Sequence, residues 1–386
     1  MNFGLSESQR ILKDNARKFF ANECPIAEVR RIIESIETPH AYDQKLYAKL
    51  AGQGFTGIIF PETHGGLGLG KVEMVALLEE MGRALIPGPY FSSVILAGSI
   101  INEAGDEHQK SKYLAPIAEG VKRATLALVE AQGSWHPNSV QMAAHGTKLT
   151  GTKLFVTDAA VADTIVVVVR YHHNDLALFA VDRNAAGVTI TPMSSMDLTR
   201  PVYSVHFNEA EGELLAMGAH ARSALHHGLN IAEVGLAAEL TGGMQRGIEI
   251  TVEYAKTRKQ FGKPIGGYQA VQHQCADMYF FTEGSRSAAL YAAWALDNQA
   301  PDAEKAVAIA KMYASDSGRE VGNRSIQVHG GMGFTWENDC HLYYRRAKAS
   351  EVMLGDASYH RDRIATMIID PVEVSSKTLE EAFALD

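Results

Sequence analysis

The sequence predicts a mostly α-helical protein with a small antiparallel β domain in the middle of the chain. Apolar residues recur at helical spacing in the first third, short strand-like runs between turn residues follow, and long stretches with few helix breakers fill the remainder. We therefore expect an N-terminal helical domain at residues 1–122, a β sandwich or barrel at 123–218 and a four-helix bundle at 219–386. The 386 residues are enough for two or three such domains.

The N-terminal domain is predicted to be helical from its periodicity. After Ser6, which can cap a helix, apolar side chains recur at three- and four-residue steps as far as Phe20. The glycine-rich segment 61–68 predicts a turn between two of the later helices. The further helical patterns occupy residues 42–52, 71–84 and 90–103.

The middle domain contains five predicted strands. They are residues 125–129, 148–156, 164–169, 176–181 and 203–207. Gly, Asn, Asp and Pro bound these runs, and no helical pattern lies between them. Short strands without intervening helices are typical of an antiparallel sandwich or barrel.

Long helices dominate the C-terminal domain. Their patterns occupy residues 232–257, 268–298, 303–328 and 341–354. Long helices joined by short connections pack side by side, so this part of the chain predicts a bundle. The last dozen residues, from Ser375, predict a loosely held helical tail.

Composition argues against several classes of protein. A formal net charge of −9 disfavours a nucleic-acid-binding surface, which needs clustered Lys and Arg. No apolar run is long enough to span a bilayer, and the first residues lack the pattern of a signal peptide. Cys24, Cys275 and Cys340 are far apart and have no histidine at metal-ligand spacing. We therefore expect a cytoplasmic protein without a disulfide framework or a metal site.

Four short motifs carry the strongest functional signal. Residues 151–157 read GTKLFVT, 258–265 read RKQFGKPI, 327–334 read QVHGGMGF and 344–348 read YRRAK. In this order and spacing they resemble the G-x-K-x-[FW]-I-T, R-x-Q-F-G-x-P-I, Q-x-x-G-G-x-G-F and Y-R-D-A-K segments of the acyl-CoA dehydrogenase family. The resemblance covers nearly the whole chain and implies that family's order of helical domain, β domain and helical bundle.

The resemblance also implies that the chain binds FAD. Arg258 offers a planar, permanently charged donor group suited to a pyrophosphate, and Phe261 can lie against an adenine or pack in the core. Glycines let backbone N–H groups approach a phosphate closely. In the family, the arginine segment and the glycine segment contact one FAD from two different subunits, which implies a homo- or heterotetramer. The residues that match this end of the cofactor are Arg258, Phe261, Gln269, Gln327, Gly330 and Gly331.

A second group of residues matches the flavin ring and the substrate. Phe155 and Thr157 correspond to family residues placed against the isoalloxazine ring and its N5 edge, where a donor tunes the flavin electronics. Val129 stands where the family has a threonine that hydrogen-bonds the pyrimidine edge. The family's T-E-P-x-A-G-S-D loop is shorter here, and by the same resemblance Ser134 can reach the CoA arm of an acyl-CoA thioester.

The chain departs from the family at the catalytic base. In the family, a glutamate removes the α-proton of the thioester. The glycine that follows it aligns with Gly355, so its position is Leu354. A leucine cannot accept a proton, and general-base catalysis contributes about 10²- to 10⁴-fold.

Other side chains near the base position leave alternatives open. Some relatives place the base where this chain has Ala232, and its neighbour Glu233 is turned by about 100° on a helix. Glu233 is either a displaced base or an ion-paired carboxylate, and we expect Glu239 to be structural. Asp356 is either a substitute base or a capping aspartate. His360 is expected on a helix surface.

These observations lead to three functional hypotheses. The run GDASYHRDR at residues 355–363 resembles the smaller subunit of two-component acyl-CoA dehydrogenases, which act on dicarboxylyl or steroid side-chain thioesters. There a homologous subunit carries the glutamate, and electrons from α,β-dehydrogenation pass to an electron-transfer flavoprotein. The alternatives are a non-catalytic scaffold subunit and a flavin monooxygenase or desulfinase on the same fold, which needs no α-proton base.

Overall fold

The structure, a computed structural model, describes residues 4–36 and 39–369. It confirms the predicted fold class, since helices before and after a small β domain make up most of the described chain. The α-helices of these residues are α1 (Glu7–Glu23), α2 (Ile26–Glu34), α3 (Gln44–Gly52), α4 (Lys71–Ala84), α5 (Ser99–Ala104), α6 (Glu107–Gln109), α7 (Ala115–Ala118), α8 (Gly218–Thr257), α9 (Gln269–Asp297), α10 (Ala303–His329), α11 (Cys340–Val352) and α12 (Ala357–Ile369). The strands are β1 (Ala124–Ala127), β2 (Ala144–His145), β3 (Lys148–Thr157), β4 (Thr164–Tyr171), β5 (Asp175–Asp182), β6 (Val188–Met193), β7 (Val202–Glu211), β8 (Glu213–Met217), β9 (Lys259–Gln260) and β10 (Lys263–Pro264).

The N-terminal helices begin and end where local chemistry allows. Ser6 caps α1 by accepting from the amide of Gln9 (3.2 Å), and the Gln9 side chain accepts from the amide of Ser6 (2.8 Å). The helix predicted at residues 71–84 is confirmed by α4. The helix predicted at 90–103 is wound as a π-helix over Phe91–Gly98 and continues as α5. Such π-helical turns are rare and often lie at functional sites.

Two four-stranded sheets form the middle of the molecule. One has the strand order β1-β4-β5-β8 and the other β2-β3-β7-β6. All neighbours in these sheets are antiparallel except β1 and β4, which run parallel. The parallel pair arises because the chain passes through β2 and β3 of the other sheet before β4 returns beside β1. The predicted β domain is confirmed, and β2, β6 and β8 add to the predicted strands.

The valine-rich strand β4 is buried on both faces. Ile165 and Val167 lie in the core between the two sheets. Val166 and Val168 belong to the large helical core instead. Because side chains alternate along a strand, one run of apolar residues joins the β domain to the helices on its other face.

Helix α8 is the central element of the bundle. It begins at Gly218, one residue before the predicted start of the helical C-terminal region, and includes the run predicted at residues 232–257. Helices α8, α9 and α10 pack against one another, and α11 and α12 pack against α10. Where α8 crosses α4, a Cβ on Gly242 would lie 1.8 Å from the carbonyl oxygen of Glu79, and one on Gly82 would lie 1.9 Å from that of Glu239. Glycine on both helices is therefore required for this crossing.

The structure does not test the predicted helical tail or the predicted domain boundaries. The helical tail predicted from Ser375 lies outside the described residues, and the domain boundaries predicted after residues 122 and 218 stay predictions. Within residues 4–36 and 39–369, no helix combines the length and apolar character needed to cross a membrane.

Candidate functional site

The arginine motif forms a short hairpin at the end of α8. Arg258 caps the helix, and its carbonyl oxygen accepts from the amide of Ile265 (2.8 Å), so that β9 lies against β10. Phe261, at the tip, has a φ of 53° and a side chain that is 93% exposed. Left-handed backbone and exposure to water are both unfavourable for phenylalanine. The alternative that Phe261 packs in the core is therefore wrong, and the ring is available to a ligand or another subunit.

The glycine motif lies at the same end of the bundle. Helix α10 ends at His329, whose ring stacks on that of Tyr254 in α8 with centroids 4.4 Å apart. Tyr254 is one helical turn before Arg258, so the two motifs meet within one chain. The stack brings the two motifs to one end of the bundle, and the expectation that they reach one cofactor from two different subunits stays a prediction.

The surface of the glycine motif is open. Gly330 has a φ of 59°, and no described atom lies within 4 Å of a Cβ built on Gly331. Gln327 and Gln269, the first residue of α9, are both exposed. These residues fit the ADP half of FAD. Backbone amides can reach a phosphate where no Cβ intervenes, and Arg258 supplies the positive charge.

Replacing Gly331 with alanine should weaken FAD binding without weakening the fold. The added methyl group meets no described atom, so the midpoint of thermal unfolding of the flavin-free protein should not fall. A ligand pressed against the backbone would be displaced, and we expect the dissociation constant for FAD to rise at least about tenfold. Gly52→Ala is the matched control, because its Cβ also meets nothing within 4 Å and it lies in the N-terminal helices. Equal FAD affinity in both variants would contradict this placement.

Strand β3 presents the residues that match the flavin ring. Its register against β7 shifts after Lys153, and Phe155 has a φ of 54° at this bulge. The Phe155 side chain is 45% exposed, whereas Thr157 and Val129 are buried. The Val129 carbonyl oxygen accepts from the amide of Leu154 (2.8 Å). The outward-facing ring of Phe155 fits the face of an isoalloxazine, and a bulge is a usual way to re-aim such a side chain.

A buried ion pair holds this part of β3. Lys153 Nζ lies 2.6 Å from Glu130 Oε1 and also donates to the carbonyl oxygen of Leu128 (3.1 Å). Burial lowers the pKa of Lys153 to about 8, although the Glu130 carboxylate opposes the shift. The pair connects the segment that carries Val129 to the one that carries Phe155. Sequence analysis missed it, although Lys153 belongs to the quoted motif at residues 151–157.

Leu354, the position of the missing base, is buried in the turn between α11 and α12. Its side chain is 1% exposed and lies in the large helical core, and its φ is 60°. Ala232, the alternative base position, is buried in the same core. Neither position therefore carries a proton acceptor.

Glu233 lies in the middle of α8, and its carboxylate is held by α12. Both carboxylate oxygens accept from Arg363 Nη1, at 2.9 and 2.8 Å. Burial raises the pKa of Glu233, and the charge of Arg363 opposes this shift. This pairing favours the ion-paired alternative over a displaced base.

The remaining predicted residues make local hydrogen bonds. Asp356 Oδ1 accepts from the amide of Tyr359 (2.8 Å), as a capping aspartate at the start of α12 does. Ser134 Oγ accepts from the amide of His136 (3.1 Å) within its own loop. The expectation of an exposed His360 is wrong, because its side chain is fully buried and bonds the Leu354 carbonyl oxygen (3.1 Å).

Sequence analysis also missed a buried network of charges beneath the site. Arg200 Nη2 donates to both oxygens of Glu239, at 2.7 and 2.6 Å. Arg346 donates to Glu239 Oε1 and to Asp197 Oδ2, each at 2.6 Å. The network joins the β6–β7 loop to α8 and α11, which fits the structural role expected for Glu239. The signal that could have revealed it is Arg346, which stands where the Y-R-D-A-K motif has its aspartate.

Known proteins share the sequence and the domain order of this chain. Family models match the N-terminal domain (residues 6–121), the middle domain (125–209) and the C-terminal domain (222–369) of acyl-CoA dehydrogenases. The chain is 31% identical to acyl-CoA dehydrogenase FadE27 of Mycobacterium tuberculosis, over 87% of this chain and 91% of that protein. It is 28% identical to subunit CarC of the caffeyl-CoA reductase–Etf complex of Acetobacterium woodii, over 94% and 99%. The ChsE4–ChsE5 complex of M. tuberculosis contains a chain that superposes with a TM-score of 0.86 at 29% identity, over 96% and 99%.

Proposed function

Because the chain belongs to the acyl-CoA dehydrogenase family, we propose that it is the subunit without the catalytic glutamate in a two-component, FAD-dependent acyl-CoA dehydrogenase. The observation that carries this proposal is Leu354, an apolar residue buried at the base position. The carboxylate closest in sequence to the alternative position, Glu233, is bound on both oxygens by Arg363. A homologous partner chain would supply the base that removes the α-proton.

FAD is the cofactor of this family, and the residues present fit it. Arg258 would hold the pyrophosphate, Gly330 and Gly331 would admit it to the backbone, and Phe155 would lie against the flavin ring. When bound, FAD would supply the acceptor for the hydride that leaves the β-carbon of the thioester. The chain's own contribution is to bind and orient this group, because its base position holds a leucine.

The proposed partners follow from the same reasoning. The pairing of ChsE4 with ChsE5 and the Etf complex of CarC support a heteromeric assembly, a heterotetramer, that passes electrons to an electron-transfer flavoprotein. The substrate would be an acyl-CoA thioester in the breakdown of fatty acids or related chains in the cytoplasm. The exposed Phe261 ring suits a subunit boundary, where its apolar surface would be covered.

Co-expression with a homologous chain that carries the glutamate tests this function. We expect the two chains to purify together, and their complex to bleach anaerobically with an acyl-CoA about 10²-fold or more faster than this chain loaded with flavin alone. Equal rates for the chain alone and for the complex would contradict the proposal. If the complex instead showed consumption of oxygen and no bleaching, the chain would belong to a monooxygenase.

The scaffold role is the second candidate, and the paired Glu233 and apolar Leu354 favour it equally. Replacing Arg258 with glutamine separates the two. A subunit that holds catalytic flavin should lose bleaching activity in the complex when Arg258 changes. A complex with a scaffold subunit should keep full activity when Arg258 changes, and the scaffold chain purified alone should be colourless even without the substitution.

A further inference from the structure

Two buried side chains, Lys311 and His360, form hydrogen bonds to backbone carbonyl oxygens in and beside the loop that carries the base position. Lys311 Nζ donates to the carbonyl oxygens of Glu351 (3.2 Å) and Gly355 (2.8 Å) and to Ser315 Oγ (2.9 Å). An ammonium group has three donors, and all three are used here. Lys311 is fully buried, so these bonds compete with no solvent.

His360 completes the hold on the loop. Its Nε2 lies 3.1 Å from the carbonyl oxygen of Leu354, and its Nδ1 lies 3.3 Å from Arg363 Nη1. Burial, with the charges of Lys311 and Arg363, lowers the pKa of His360 to about 3, so the ring is neutral. Arginine can only donate, and therefore Nδ1 accepts and Nε2 carries the proton that bonds Leu354.

The backbone held in this way is strained. Leu354 has a φ of 60° and Gly355 one of 92°. A leucine in the left-handed region is unfavourable and persists only where the surroundings fix it. Because the peptide bond is trans, a Leu354 carbonyl fixed on His360 directs the amide of Gly355 the opposite way.

We propose that Lys311 and His360 are positioning residues that keep the Met353–Gly355 loop in the conformation of a base-bearing loop, although the base itself is absent. They touch neither substrate nor cofactor in this role; they act through the backbone of Leu354. The proposal rests on the proposed function, in which residue 354 borders the reacting atoms. It implies that only the carboxylate has been lost and that the geometry around it remains.

Hydrogen exchange of the loop amides tests this role directly on the full chain. His360→Leu should speed exchange in a peptide covering residues 350–357 by about tenfold, the effect of one lost hydrogen bond, while peptides from 244–257 stay unchanged. His360→Gln should restore slow exchange, because its amide can donate to the same carbonyl. Lys311→Met, similar in length but without donors, should speed exchange as His360→Leu does. If either variant fails to fold, Ser315→Ala replaces it. This substitution removes one acceptor of the Lys311 ammonium and should also speed exchange in the loop. Unchanged exchange in the loop would overturn the proposal.

The second readout uses a chain that also carries Leu354→Glu. There His360→Leu should lower the limiting rate of flavin bleaching by about tenfold and leave the half-saturating thioester concentration unchanged, and His360→Gln should recover the rate. A half-saturating concentration that rises while the rate holds would overturn the positioning role. Hydrogen exchange in the loop could rise as expected while neither the unsubstituted chain nor the Leu354→Glu chain bleaches with any acyl-CoA. That result would contradict the proposed function but would support the positioning role of Lys311 and His360.

Discussion

Replacing Leu354 with glutamate is expected to accelerate anaerobic bleaching of the flavin-loaded chain by acyl-CoA thioesters by about 10²- to 10⁴-fold, the usual contribution of a general base. The position is buried in the helical core, and its backbone is already in the left-handed conformation, held by Lys311 and His360. A carboxylate introduced there needs no rearrangement of the loop. Stopped-flow absorbance of the flavin under anaerobic conditions measures the rate.

Leu354→Gln is the control for this substitution. Glutamine matches glutamate in size and polarity but cannot accept the α-proton, so it separates base catalysis from an effect on packing. We expect the glutamine variant to bleach as slowly as the unsubstituted chain. If both variants bind FAD and thioester and neither gains rate, the cavity serves another reaction.

Much of the fold was predictable because local signals and packing agree. Helix α4 follows the predicted residues 71–84, with apolar spacing and a clear end. Helix α2 was missed because it has nine residues between a proline and a loop, too short for its periodicity to register. The predicted start of the helical C-terminal region at residue 219 lies within one residue of the start of α8, but the run predicted at 232–257 covers only part of this helix, because residues 218–231 combine small and polar side chains.

The site was predictable only where one segment carries the signal. Phe155, Arg258 and the glycine motif are predicted from contiguous segments, and the structure brings the arginine and glycine motifs to one end of the bundle through Tyr254 and His329. Pairings between distant segments could not be read in the same way. Glu233 meets Arg363 across 130 positions, and single-sequence patterns hold no record of which charges meet in the folded chain.

Replacing Glu239 with glutamine is expected to destabilise the protein by about 3–5 kcal/mol, the usual effect of removing one partner from a buried ion network. Its carboxylate accepts from Arg200 and Arg346, both of which are buried. Glutamine has nearly the same shape but no charge, so among the described residues Asp197 would be the one carboxylate still hydrogen-bonded to either guanidinium group, and it bonds Arg346 alone. Urea unfolding of the flavin-free chain, followed by circular dichroism, measures the loss.

Glu253→Gln on the same helix is the matched control. Its ion pair with Lys256 has both side chains largely exposed, and pairs of this kind contribute at most about 1 kcal/mol. The comparison separates burial from the loss of charge, because the two substitutions are chemically identical. If Glu239→Gln lowered the free energy of unfolding as little as Glu253→Gln, water would have to reach the network. The ion pairs that link α8, α11 and the β6–β7 loop would then not stabilise the protein as their distances indicate.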